Sequence, residues 1–303
     1  MNILVLGGTR FVGRAFVAAA SRQGHAVTIF NRGQSAAAPA QCEWIAGDRT
    51  RDLRALDGRQ FDVVLDTWGG DAAVVAAAAG ALKDRVGHYV YVSTISVYAN
   101  LWCPGQHEDS PVIAAADPAP ASAPERYRVD KVRSEAALRD ALADRLLILR
   151  PGIIVGPHDD TDRLTAWLRR CESGAPVTAP MAPNQPLQLI DVRDFCAFAL
   201  QLAERREVGI FNAVGPDLTF GAFLEQCRSA AGSRCEFAWE TEVALLARGL
   251  YDWDAFPFWI PHCDWAQRGF FCIDNRKAVQ GGLTFLPLAE TMRDVFQGLR
   301  EGR

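Results

Sequence analysis

Met1-Asn-Ile-Leu-Val-Leu-Gly-Gly-Thr-Arg-Phe-Val-Gly-Arg14 opens the chain and decides how the rest is read. Ile3 to Leu6 is a short apolar run, long enough for a buried strand and too short for a helix. Gly7 and Gly8 break it, and from there Phe11, Val12, Ala15, Phe16 and Ala19 recur at helical spacing. A strand, a glycine turn and a helix in that order point several backbone N–H groups toward one spot at the helix's positive end. A pyrophosphate fits there, and glycine lets it approach the backbone closely. Against a G-x-x-G-x-x-G spacing, Gly7 and Gly13 hold the outer positions and Arg10 replaces the middle glycine. With Thr9, Arg10, Phe11 and Val12 completing it, the stretch reads as a dinucleotide-binding turn; a plain turn is the alternative.

Outward from this turn, residues 26–30, 43–46, 61–66, 87–93 and 146–150 read as further strands, with helices over 71–86 and 125–143. Residues 100–124 form a long Pro- and Ala-rich loop suited to a mobile lid. Strand and helix alternate through half the chain, which predicts an α/β fold: a Rossmann-type doubly wound parallel sheet with ligands at the carboxyl ends of its strands. The second half has helices over 161–171, 192–205 and 220–230 and a short strand at 209–213. Its later part is dense in aromatics: Trp239, Tyr251, Trp253, Phe256, Phe258, Trp259, Trp265, Phe270 and Phe271. The expected organisation is a nucleotide-binding domain over 1–155 and a smaller, partly interleaved capping region over 156–303. Parts near 188–214 are expected to return to the first domain.

With 303 residues, 49% of them apolar, the chain can bury a full core. A formal charge of -4 gives no reason to expect nucleic acid as a partner. No apolar run has the length to span a bilayer, and a strand at the very start is expected to leave no room for a signal peptide. The eight cysteines form no C-x-x-C pair and show no Cys/His ligand spacing, so a cytoplasmic enzyme with reduced thiols and no structural metal is expected.

Tyr127 and Lys131 lie four apart on a predicted helix, on one face and one turn apart. Carbonyl reduction needs a proton donor beside the oxygen, and a neighbouring ammonium lowers a phenol's pKa toward neutrality. Ser93, Thr94 and Ser96 supply hydroxyls where the strand over 87–93 ends, a place equally suited to ordinary turn chemistry.

These residues carry a family resemblance. The chain resembles an extended or atypical short-chain dehydrogenase/reductase of the epimerase/dehydratase-like group over essentially its whole length. The carrying motifs are Gly7-Gly-Thr-Arg-Phe-Val-Gly13, Ser93-Thr94 with Tyr98, Tyr127-x-x-x-Lys131, Arg150-Pro-Gly-Ile-Ile-Val-Gly-Pro157 and Leu189-Ile-Asp-Val-Arg-Asp194. The resemblance implies a nicotinamide cofactor and a catalytic set of Thr94, Tyr127 and Lys131, with Ser93 as second choice for the hydroxyl. It also has Lys131 holding the nicotinamide ribose, sets Pro151 and Ile153 beside the cofactor, and implies a small-molecule substrate and homodimer pairing through two helices.

Departures from the family pattern narrow the expectation. Where the family has a ribose-binding carboxylate, this chain has Asn31 and Arg32, with Arg10 available from the turn. Guanidiniums without a carboxylate suit a 2′-phosphate, so NADP(H) is expected over NAD(H); Arg32 as a solvated loop residue is the alternative. Asp48 matches the family's adenine-contacting acid, or caps a helix. Thr67 and Trp68 stand where the family has small residues against the cofactor. Ile95-Ser96 replaces the acid pair of the dehydratases. Leu187 stands where nucleotide-sugar enzymes place an anion-binding Arg, although Arg163 or Arg193 can substitute. A missing anion clamp beside many aromatics points to an apolar or aromatic substrate, unless those aromatics are simply core. Ser96, His158, Arg163, Trp259 and His262 are the substrate-side candidates. Three functions follow: an NADP(H)-dependent oxidoreductase acting on a carbonyl or alcohol; a sugar or sugar-nucleotide epimerase with a retained cofactor; or a cofactor-binding regulatory or RNA-associated protein.

Overall fold

The computed structural model of the chain describes residues 1–35, 37–115, 122–250 and 253–301. The first half runs β1 (Asn2–Leu6), α1 (Phe11–Arg22), β2 (Ala26–Asn31), β3 (Glu43–Ala46), β4 (Phe61–Asp66), α2 (Ala72–Leu82), β5 (Val86–Val92), α3 (Ala123–Leu142) and β6 (Leu146–Pro151). The second continues with β7 (Ile153–Val155), α4 (Arg163–Glu172), β8 (Val177–Pro180), β9 (Pro186–Asp191), α5 (Val192–Glu204), β10 (Gly209–Ala213) and β11 (Asp217–Thr219). It ends with α6 (Phe220–Ala230), β12 (Phe237–Glu240), α7 (Glu242–Ala247), α8 (Arg276–Gln280) and α9 (Leu288–Arg300). Of the stretch expected as a lid, residues 116–121 lie outside the described residues, as does Tyr251.

A parallel seven-stranded sheet has the order β10-β6-β5-β4-β1-β2-β3. Its inner strands are apolar on both faces because helices cover both: α1 packs against α5 on one side and α2 against α3 on the other. The direction of winding reverses between β1 and β4, which opens a crevice at their carboxyl ends. Gly13 lets α1 close onto the turn, since a Cβ there would stand 2.8 Å from the Gly8 nitrogen.

Beyond β6, short strands form two small sheets, β11-β9-β7 and β12-β8, that sequence periodicity did not anticipate. They enclose a second core with α4, α6 and α9. The aromatic stretch belongs to this core: Phe256, Phe258, Trp259 and Phe271 are buried, and Trp167 meets Phe220 and Phe256 with ring centres 5.6 and 6.2 Å apart. Trp259, expected to touch substrate, is only 1% exposed and packs edge-on against Phe256. Burying its indole in the core is worth more than presenting it to a cleft. Trp239, Trp253 and Phe270 are partly buried against this core, and Trp265 is exposed.

One buried ion pair sets α3 against the sheet. Arg150 of β6 donates to both Glu135 oxygens (3.0 and 2.7 Å), and Ser93 Oγ and Arg139 donate to the same carboxylate. Replacing Arg150 by Met strands much of a buried carboxylate, so the variant should lose roughly 3 kcal/mol of stability in urea titrations. Adding Glu135→Gln should recover most of that loss; an unaltered midpoint for Arg150→Met alone would mean that the pair is not holding α3.

Candidate active site

The crevice beside β1 and β4 holds a cavity of about 360 Å³ lined by Gly7, Thr9, Arg10, Asn31, Arg32, Asp48, Arg49, Thr67, Trp68 and others. Gly7 and Gly8 adopt φ of 126° and 90°, conformations open to glycine and strained for other residues. Helices α2, α5, α6 and α7 each start with a side-chain cap from Asp71, Asp191, Thr219 or Thr241. Like α4, α8 and α9, α1 starts with no capping side-chain hydrogen bond, and it has no acid in its first turn. Its first N–H groups therefore face the crevice uncapped, the arrangement that receives a phosphate. At the wall of the same cavity Arg49 Nε is a buried donor without an acceptor. These features fit a dinucleotide. Phe11, Val12 and Gly13 lie in the first turn of α1, where Phe11 and Val12 pack on the main core. Pro151 and Ile153 are buried at the β6–β7 junction, away from the cavity lining.

Two residues act differently from expectation. Asn31 spends its amide on the protein itself: Nδ2 donates to Gly7 O (2.8 Å) and Thr9 Oγ1 (3.2 Å), and Oδ1 accepts from Gly33 N–H and Trp44 Nε1. It orders the turn, with both amide protons engaged. Arg10 does not gather with Arg32; its guanidinium pairs with Asp160, across the crevice on the loop after β7. Arg32 is exposed near Asp48, whose carboxyl is held low by Thr50 hydrogen bonds first, and by Arg32 and Arg51 charge as lesser causes.

Thr94, two residues past β5, caps the 3₁₀ turn over 95–97, its Oγ1 accepting from Ser96 N–H at 3.1 Å. Ser96 therefore sits on the turn that carries Thr94, and its carbonyl accepts from Arg128 Nε. Tyr127 and Lys131 project from one face of α3 onto Gly69, a residue of the cavity wall: a Cβ on Gly69 would be 3.4 Å from the Tyr127 ring and 3.9 Å from Lys131 Cε. Tyr127 remains 38% exposed, whereas Lys131 is buried. Burial raises the phenol's pKa, while a Thr94 hydrogen bond and Arg163 charge pull it back. Lys131 is bound to two backbone carbonyls beside the phenol. Its Nζ donates to Trp68 O (2.6 Å) and Val92 O (2.5 Å) and lies 5.8 Å from the Tyr127 ring centre. Burial pushes the ammonium down to about 7, against the charges of Asp66 and Glu135.

Sequence reasoning missed the group behind this lysine. Asp66, the last residue of β4, is fully buried and takes both Arg49 Nη1 and Nη2 (2.6 and 2.7 Å), Tyr89 OH (2.7 Å) and Trp68 N–H (2.9 Å). Burial alone would raise its pKa; Arg49 and these hydrogen bonds outweigh burial and hold it low. The only local signal was a carboxylate directly after the apolar run Val63-Val64-Leu65.

The remaining candidates scatter. His158, at φ 67°, lines a cavity of about 390 Å³ against α9. His262 is exposed, bonded to Glu242 (2.9 Å), beside a third cavity of about 470 Å³. Arg193 is committed to Asp191 and Asp294, and Leu187 is buried. Among the described residues no cluster of three or more His, Cys, Asp or Glu is placed to hold a metal, and no helix is long and apolar enough to cross a membrane.

A model of the NAD dependent epimerase/dehydratase family matches residues 3–84 and 57–213. The chain belongs to this family. Its fold is shared by UDP-N-acetylglucosamine 4-epimerase from Bacillus cereus, 16% identical over 99% of both chains with a TM-score of 0.73. UDP-glucuronic acid 4-epimerase from the same organism, in complex with NAD, is 18% identical over 99% of both chains with a TM-score of 0.69. In sequence, the chain is 27% identical over 319 residues to the chloroplast stem-loop binding protein of 41 kDa b of Arabidopsis thaliana, covering 97% of this chain and 78% of the relative.

The buried lysine gives a pH signature with a definite sign. Its folded pKa of about 7 lies below the ordinary 10.5, so between those values the unfolded chain binds the extra proton. Its contribution to stability therefore rises with pH through that window and is least favourable below it. Relative to wild type, Lys131→Met should gain stability as pH falls from about 10 to about 6 in urea titrations; a difference independent of pH would contradict a desolvated Lys131.

Proposed function

We propose that the chain is an NAD(P)-dependent enzyme that moves a hydride between the nicotinamide and a carbonyl or alcohol carbon. The supporting observation is that Tyr127, hydrogen-bonded by Thr94, and Lys131, bonded to Trp68 O, both meet Gly69 at the wall of a crevice whose helix begins uncapped. The cofactor, when bound, supplies or accepts the hydride. Gly7, Thr9 and the first turn of α1 would hold its pyrophosphate, Asp48 its adenine, and Lys131 its nicotinamide ribose. Tyr127 gives its proton to the carbonyl oxygen in reduction and takes it back in oxidation, and Thr94 donates a hydrogen bond to that oxygen. NADP(H) preference now rests on Arg32 alone, since Arg10 is paired with Asp160.

A second reading is favoured by the family match and by the epimerases sharing the fold: an epimerase that keeps its cofactor and oxidises and re-reduces the same carbon. Cofactor retained through gel filtration, without net redox change, would select it. The stem-loop binding relative favours a third, RNA-associated reading. The retained Tyr127 and Lys131 and the net charge of -4 speak against it.

Tyr127→Phe should lower turnover by at least about 10²-fold with cofactor affinity unchanged; a fully active variant would remove the assignment. In nicotinamide-fluorescence titrations NADPH should bind more tightly than NADH, and Arg32→Ala should erase the difference. Preference for NADH would return Arg32 to the role of a surface residue.

A further inference from the structure

Away from the crevice, β9, β11 and the starts of α5 and α9 enclose a cavity of about 340 Å³. It shares no lining residue with the dinucleotide crevice. Leu189, Leu218, Phe285 and Leu288 give it an apolar wall, and Asp191, Asp194, Asp217 and Gln226 bring polar groups to it. Phe285 packs on the main core, whereas Leu189, Leu218 and Leu288 belong with the second core, so the cavity lies at the seam between the two.

The polar groups differ in how far their bonding is complete. Asp191, which closes β9, is saturated. Its Oδ1 accepts from Arg193 N–H and Nε, and its Oδ2 accepts from Arg193 Nη2 and Thr291 Oγ1. Asp194, in the first turn of α5, is not. Its Oδ2 accepts from Leu286 N–H (2.8 Å), but its Oδ1 has no hydrogen bond among the described residues and is not sealed from the cavity it lines. The residue is only 9% exposed, so water does little to compensate it. The guanidinium beside it, Arg193, is already shared between Asp191 and Asp294. Burial first, and the charge of Asp191 after it, push the Asp194 carboxyl up to about 6, with the Leu286 hydrogen bond and Arg193 offsetting part of the rise.

Two further acceptors are spare. Asp217, exposed at the mouth, gives one oxygen to Gln188 Nε2 (3.0 Å) and keeps the other unbonded among the described residues. The Gln226 amide makes no hydrogen bond among the described residues, which leaves its Oε1 available to an occupant. The cavity therefore offers a deep carboxylate oxygen, a second carboxylate at its entrance and an amide oxygen, against an apolar wall.

We propose that this cavity binds a small organic amine, its primary ammonium held by Asp194 and its apolar body against the leucines and Phe285. An ammonium is a cation with three donors and no acceptor, which complements a set of spare oxygens. It would supply the cation that a buried carboxylate requires. Because the occupant touches side chains of both cores, its binding should stabilise the folded molecule by linkage. The inference goes beyond the hydride-transfer reading and does not depend on it.

The test uses the full-length protein at neutral pH with benzylammonium as the probe, followed by calorimetry and thermal shift. Benzyl alcohol lacks the charge, and benzyltrimethylammonium keeps the charge but has no N–H donor. Benzylammonium should bind and raise Tm, with both controls weaker by about tenfold or more. Asp194→Asn keeps an acceptor for the Leu286 N–H while removing the charge, and should weaken the probe by roughly tenfold or more. Should that variant fail to fold, two changes nearer the surface decide the matter: Asp217→Asn should weaken binding, and Leu218→Trp, which fills the cavity from β11, should abolish it. Absence of binding to wild type, equal binding of benzyl alcohol, or undiminished affinity in Asp194→Asn and Leu218→Trp would overturn the proposal. So would loss of the probe on saturation with NADPH, which would place it in the crevice instead.

Discussion

The carboxylate of Asp66 is the charge around which the crevice is assembled. Removing a carboxylate from water is tolerable only when its lone pairs are filled and a cation is close, and Asp66 meets both conditions through Arg49, Tyr89 and the Trp68 amide. Arg49 comes from the loop after β3 and Trp68 from the loop after β4, so one buried anion locks two walls of the dinucleotide crevice together. The lock extends further, because the carbonyl of Trp68 holds the Lys131 ammonium. Fixing the peptide at Trp68 fixes both a cavity wall and the Lys131 side chain.

The far side of Lys131 repeats the device. Tyr127, Lys131 and Glu135 are spaced by four residues on α3 and share a face. Glu135 is anchored to the sheet by Arg150 and Ser93, so the helix is pinned one turn beyond the lysine and two turns beyond the tyrosine. Placement of a surface-accessible phenol thereby derives from an ion pair buried beneath it. An α3 held only by apolar packing would slide more readily, since apolar contacts are not directional.

Much of this was legible because its cause is local. Ile3 to Leu6 and Val63 to Leu65 are apolar on both faces of the sheet, and Gly7 with Gly8 can only be a turn. Tyr127 and Lys131 share a face by helical arithmetic alone. What escaped notice depends on partners distant in sequence. Asn31 looked like a ligand residue, yet its amide serves Gly7, Thr9 and Trp44, which the fold brings to it. Arg10 turned toward Asp160, 150 positions away. Strands as short as Ile153–Val155 and Asp217–Thr219 carry too few residues to show a period, and exist because β9 pairs with both. The aromatic run was ambiguous for a different reason: a ring that lines a pocket and one that fills a core have the same sequence signature.

The charges around Tyr127 divide their work by pH. Lys131, desolvated until its pKa is about 7, carries a reduced charge in the alkaline range where a phenol begins to give up its proton. A guanidinium keeps its charge throughout that range. On the phenol, burial is opposed first by the Thr94 hydrogen bond and then by the Arg163 charge, with burial prevailing. Lys131 keeps a task that does not require full charge: joined to the carbonyls of Trp68 and Val92, it ties the ends of β4 and β5 to α3.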